Sequence, residues 1–133
     1  MSQESMEVVS RGIDAWNRGD RDDELLAAFA PDVEWHTTGL FVDERVYRGR
    51  AGLERFWAEL REDIEELTVS ISEIRATGNR VFAAVTIQGR GKRSQAGFKE
   101  PTWYVATLRD RLILRVVTYL DPSEALEAAG LRE

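Results

Sequence analysis

Side chains able to move a proton near neutral pH are scarce in this chain, which has one histidine, three tyrosines and no cysteine. His36 is the natural candidate for acid/base work, because unperturbed imidazole titrates near neutrality. It follows Trp35 in the run Val33-Glu34-Trp35-His36. Successive strand residues point to opposite faces, so if Trp35 faces the interior, His36 faces the rim. Tyr104 and Thr118 share strand parity with Ala106, Leu108, Val116 and Leu120. One phenol and one hydroxyl on an otherwise apolar face must each find a partner or water. With Trp16, Trp35, Phe56 and Val116 as apolar walls, the set fits a pocket for a small, mostly apolar ligand, with Tyr104 as its main polar anchor. If a reaction takes place there, the proton carrier is Tyr104, His36 or an ordered water.

Other polar residues have plainer readings. Glu34 and Glu73 are expected to be solvated strand residues, and Asp121, just before Pro122, a helix N-cap. The run Gly89-Arg90-Gly91-Lys92-Arg93-Ser94 resembles a phosphate cradle in composition alone, since it joins two strands and opens no helix; a mobile hairpin loop is expected there. Without cysteine there is no disulfide or thiolate site, and one histidine cannot build a multi-histidine zinc site, so neither metal nor cofactor is expected. A formal charge of -6 repels phosphate backbones, which argues against nucleic acid. No apolar run approaches the roughly 18 residues of a membrane span. Met1 to Glu7 is polar and acidic and does not read as a signal peptide, so a cytoplasmic location is expected. The length, 133 residues, suits one domain over 1–133.

Several elements must position these residues. Met6, Val9, Ile13 and Trp16 form one helical stripe, which Asn17-Arg18-Gly19 ends. Asp20 with Asp23 reads as a capping box for a short second helix, with Leu25, Leu26 and Phe29 as its apolar face before Pro31. Leu53, Phe56, Trp57, Leu60 and Ile64 predict a third helix over about 51–63. Leu67, Val69 and Ile71 then alternate with polar residues, the period of a strand with one buried face. Gly78-Asn79 turns the chain into three longer strands, 81–88, 102–109 and 112–120, joined by a 89–97 loop and a tight turn at Asp110-Arg111. Asp121-Pro122-Ser123-Glu124 starts a last helix, and Gly130 stops it. Helices followed by antiparallel strands give an α+β domain, in which three helices pack into the concave face of a curved antiparallel sheet and leave a cone open at one end.

From about Val8 to Leu131 the chain resembles the SnoaL-like branch of the nuclear transport factor 2 superfamily. The resemblance rests on Ala15-Trp16-Asn17-Arg18-Gly19-Asp20, Phe29-Ala30-Pro31-Asp32-Val33-Glu34-Trp35, Tyr47-Arg48-Gly49-Arg50, Thr107-Leu108-Arg109-Asp110 and Tyr119-Leu120-Asp121, in that order. It implies a cone-shaped α+β fold, commonly homodimeric, whose pocket serves polyketide cyclases, ketosteroid isomerases and epoxide hydrolases. The isomerases use an Asp base and an oxyanion hole of a Tyr and a protonated Asp. At the matching positions this chain has Trp35, Gly12 and Tyr104, which argues against steroid isomerisation by that mechanism. Neither a cyclase carboxylate nor the Asp-Arg-Asp set of the epoxide hydrolases maps onto it.

Three readings follow: an acid/base enzyme of cyclase, isomerase or hydrolase type acting on a small, mostly apolar molecule; a noncatalytic binding module with the same cavity; and a dimeric interaction domain. A homodimer is expected through the outer sheet face, where Trp103, Val105, Ile113, Val117 and Tyr119 would form an apolar patch too large for a monomer to leave wet. Phe56 and Leu60 are expected to close the cavity beneath Trp16.

Overall fold

The computed structural model describes residues 2–19, 22–37 and 45–131. Helix α1 (Ser2–Arg18) buries the predicted stripe, with Val9 in the core and Met6, Ile13 and Trp16 packed against it. Gly19 ends it at a φ of 69°, its N–H donating to the Trp16 carbonyl. Helix α2 (Asp22–Leu26) is a short turn that buries Leu25; Asp20, the expected cap, lies outside the described residues. Phe29 opens strand β1 (Phe29–His36) rather than completing the α2 face. Pro31 sits within β1, where the pairing register slips between Phe29 and Glu34, as expected for a residue with no N–H to give a ladder.

Strand β2 (Val46–Arg48) leads into helix α3 (Gly49–Asp63), which buries Leu53, Phe56 and Trp57. Strand β3 (Ile64–Thr77) follows at once, then β4 (Arg80–Gly91), β5 (Gly97–Arg109), β6 (Leu112–Tyr119) and helix α4 (Pro122–Ala129). The sheet order is β2-β1-β6-β5-β4-β3, and every neighbouring pair is antiparallel except β1 with β6. Register slips in β3, at Glu65/Thr68 and at Ile71/Glu73, and in the β5–β6 pairing help to curl the sheet. Helices α1 and α3 lie in the concavity.

The expected 89–97 loop is shorter than predicted: Gly89 pairs with Phe98 and Arg90 with Gly97, leaving a turn over 92–96 closed by the Gly91 and Gln95 N–H groups. A Cβ on Gly89 would stand 2.8 Å from Ile64 Cγ2, so close strand–strand packing, not looseness, accounts for the glycine. The last helix follows its sequence signals. Asp121 accepts from the Ser123 N–H at 2.9 Å, and Gly130 adopts a φ of 76° while Leu131 N–H donates to the Leu126 carbonyl.

The outer face differs from expectation. Helix α4 lies across it and joins Ala125, Leu126 and Ala129 to Phe82 and Val105, with Trp103 and Tyr119 packed alongside. Val105 is therefore covered within the chain. Ile113 points inward, because the register slip after Thr107 pairs it with Leu108 and puts it on the same face as Val116. Of the predicted patch, Trp103, Val117 and Tyr119 remain on the outer face, all partly buried. Leu120, expected inside, lies past the end of β6 and is 51% exposed.

The free edge of β3 is held by the end of α1. Trp16 Nε1 donates to the Leu67 carbonyl at 2.8 Å; Asn17 donates to the Val69 carbonyl at 2.6 Å and accepts from the Val69 N–H at 2.8 Å. These bonds fix the tilt of Trp16 over the concave face.

Candidate functional site

Between the sheet and helices α1 and α3 lies a cavity of about 150 Å³. The sheet register explains its walls. Tyr104 stands opposite Thr118 on one side and Ala83 on the other, Ala106 opposite Val116, and Val116 opposite Trp35, so their side chains project from one face. Trp16, Trp35, Phe56, Tyr104, Val116 and Thr118, the six ligand contacts expected from sequence, all line the cavity. Trp35 is wedged among aromatic rings, with centroids 5.5 Å from Phe56, 6.3 Å from Phe29 and 5.8 Å from Tyr104, the last edge-on. Such offset and edge contacts hold flat walls in place. Trp16 lies 6.3 Å from Trp57, and the Arg61 guanidinium covers its ring at 4.6 Å.

His36 is elsewhere. Its Nε2 lies 3.1 Å from Glu34 Oε1 on the opposite face of β1, and Arg48 approaches the same carboxylate at 3.6 Å. The hydrogen bond from His36, with the nearby Arg48 and Arg115 charges, holds the Glu34 pKa below its usual value against the opposing effect of burial. The strand alternation that puts Trp35 inside thus puts His36 outside, away from the cavity walls.

Inside, Thr118 is already satisfied, its hydroxyl donating to the His36 carbonyl at 2.9 Å. Trp16 Nε1 is committed to Leu67. Thr37, also on the wall, exchanges hydrogen bonds with the Arg45 backbone. Two hydroxyls differ. Thr102 is 3% exposed and its Oγ1 is buried with no hydrogen-bond partner. Tyr104 makes no hydrogen bond among the described residues, and burial alone pushes its pKa well up. It stays a neutral phenol, able to donate a hydrogen bond but not to serve as a base near neutral pH. Lying two residues apart on β5, the two side chains project from the same face, with their Cα atoms on the order of 7 Å apart. A buried hydroxyl left without a partner carries a desolvation penalty, and an acceptor inside the cavity would relieve it.

Thr102 was missed by sequence reasoning, although it shares the parity of Tyr104 and was the first residue of the predicted strand. Trp57 was placed on the helical stripe but not in the site; it lines the cavity between Trp16 and Phe29, 5.8 Å from the latter. Among the described residues no group of three or more His, Cys, Asp or Glu could hold a metal ion, and no helix is long and apolar enough to cross a membrane.

Known proteins place this architecture. An NTF2-like protein from Burkholderia xenovorans LB400 is 29% identical and superposes with a TM-score of 0.76 over 97% of each chain. A candidate polyketide cyclase from Silicibacter sp. TM1040 is 28% identical, with a TM-score of 0.75 over 94% of each chain. A protein of ketosteroid isomerase-like fold from Catenulispora acidiphila, solved with trimethylamine, shares the fold at 23% identity, with a TM-score of 0.77 over 95% of this chain and 94% of that one. No curated protein matches in sequence. The profile of the SnoaL-like domain matches residues 9–116, most of the chain and all but the last part of the cavity wall, and the chain accordingly belongs to the SnoaL-like domain family.

Proposed function

We propose that the protein holds a small, flat, mostly apolar and uncharged molecule in this cavity, through carbonyl or hydroxyl oxygens that accept separately from Tyr104 and Thr102. The observation that carries the reading is the pair of hydroxyls without partners, one of them fully buried, on an aromatic wall. Neutral donors on a mostly apolar wall favour a neutral acceptor, because a charged ligand would lose hydration without gaining an opposite charge. Stacking against the aromatic wall favours planarity.

A second reading is a cyclase or isomerase step on the same ligand, favoured by family membership and by the 28% identical candidate cyclase. Tyr104 would then polarise a substrate carbonyl as enolate charge develops. Such a step also needs a proton acceptor, and the described residues on the cavity wall include no carboxylate and no histidine. Ligand holding is therefore the primary reading. For quaternary structure we place a homodimer contact on the part of the outer face that α4 leaves open, around Val117.

Native mass spectrometry of freshly purified protein tests the first reading through any co-purifying small molecule, followed by calorimetric titration of that molecule into wild type, Tyr104→Phe and Thr102→Val. Weaker binding to both variants supports the site. Wild-type affinity in both, with the fold intact, sinks it. A pH profile of turnover with a titrating group would favour the enzyme reading.

A further inference from the structure

Gly12 stands in the interior of α1, buried against the cavity, in a position where glycine is costly. Glycine is the least favourable helix residue after proline, because it has the most backbone freedom to lose. Two structural reasons commonly justify such a residue: a left-handed backbone, or a neighbour so close that no Cβ fits. Both occur elsewhere in this chain. Gly19 and Gly130 have positive φ, and at Gly89 a Cβ would stand 2.8 Å from Ile64 Cγ2 and 3.2 Å from the Glu65 carbonyl oxygen. Gly12 has neither. Its φ is not in the left-handed range, and a Cβ built on it meets nothing within 4 Å. The space a side chain would enter is the cavity itself, between α1 and the Leu67 and Val69 side of the sheet.

We infer that Gly12 is the size-determining residue of the cavity. Its missing side chain keeps open the space under α1, and the apolar end of the ligand extends into it while an oxygen of the ligand engages the Tyr104–Thr102 wall. This rests on the ligand-holding reading above and adds to it a short apolar extension beyond the oxygen-bearing ring. Any alkyl group at position 12 shortens what the cavity accepts and leaves the hydroxyl wall untouched.

The test uses three uncharged probes of increasing length, phenol, 4-ethylphenol and 4-propylphenol, titrated calorimetrically into wild type, Gly12→Ala and Gly12→Leu. Wild type should bind the longer probes more tightly than phenol. Gly12→Leu should lose about tenfold or more in affinity for 4-propylphenol while phenol binding stays within about threefold, the difference being the contact area the Leu side chain displaces. Gly12→Ala should melt about 2 to 6 °C higher than wild type in the absence of probe, since it gains helix propensity and meets no neighbour. It also keeps the idea open to refutation if the Leu variant does not fold. A lower melting temperature for Gly12→Ala would mean the space is not empty, and would overturn the inference. So would unchanged 4-propylphenol affinity in a folded Gly12→Leu. If wild type binds none of the probes, the ligand-holding reading falls and this inference with it; if wild type binds them and the variants do not discriminate by length, only the role of Gly12 falls.

Discussion

Replacing Thr102 by Val should make the empty protein more stable. Thr102 is 3% exposed and its hydroxyl has no partner, so in the folded chain that group has given up water for nothing. A buried unsatisfied hydroxyl costs about 1 to 3 kcal/mol, and valine has nearly the same shape without it. Valine also suits a strand at least as well as threonine. For 133 residues the unfolding entropy is about 0.28 kcal/mol per kelvin, so a gain of 1 to 3 kcal/mol raises the melting temperature by about 4 to 11 °C. Scanning calorimetry measures the shift, and urea unfolding should show a higher midpoint at unchanged slope. Thr102→Ser is the control. It keeps the hydroxyl and deletes a packed methyl, so it should lose about 1 kcal/mol. Ligand binding should move the opposite way in Thr102→Val, weakening by about 0.5 to 1.5 kcal/mol as one hydrogen bond is lost. A Thr102→Val protein that melts at or below wild type would refute the reasoning, because it would mean the hydroxyl already has a partner in the empty fold.

Four further outcomes are expected. Tyr104→Phe should weaken binding by about 0.5 to 1.5 kcal/mol by calorimetry without destabilising the empty protein, since its hydroxyl makes no bond among the described residues. Phe56→Ala should cost about 3 to 5 kcal/mol in denaturant midpoint, because Phe56 is 6% exposed and stacks on Tyr47 at 4.7 Å and on Trp35 at 5.5 Å; a loss below 1 kcal/mol would mean an open, solvated pocket instead. Burial raises the pKa of Tyr104, and burial together with the Glu59 carboxylate that accepts its hydroxyl raises that of Tyr47. Stability should therefore be full below about pH 10 and fall as pH rises above it, where the unfolded chain releases protons the folded chain keeps, and Tyr104→Phe should flatten that fall in urea titrations at alkaline pH. Light scattering should give twice the monomer mass at micromolar concentration, with Val117→Lys giving monomer; a monomeric wild type would remove the dimer proposal.

Features that depend on local chemistry could be read from the chain itself. The α1 stripe, the Asp121 cap and the Gly130 stop are set by neighbours a few residues away, and all three appear as expected. The aromatic walls were legible for the same reason, since Trp35 and Tyr104 declare their faces by strand parity. Parity fails where a strand slips. Ile113 was assigned to the outer face because a bulge between it and Val116 leaves no mark in an apolar run. The docking of α4 over Val105 was equally hidden, because an eight-residue helix does not record which surface it will cover. Thr102 escaped notice because what sets it apart is the lack of a partner, a property of the assembled cavity and not of threonine.

The hold of α1 on β3 has a consequence for how this molecule meets its own kind. Strand β3 is one border of the sheet, and fourteen residues of unpaired border would be a template for another chain to add a strand. Three of its outward backbone groups, the Leu67 and Val69 carbonyls and the Val69 N–H, are instead taken by Trp16 and Asn17. The opposite border, β2, offers only three residues. Two side chains at a helix end thus block strand addition along the middle of the long border, so Asn17→Ala should first show itself as slow aggregation on storage rather than as a lower melting temperature.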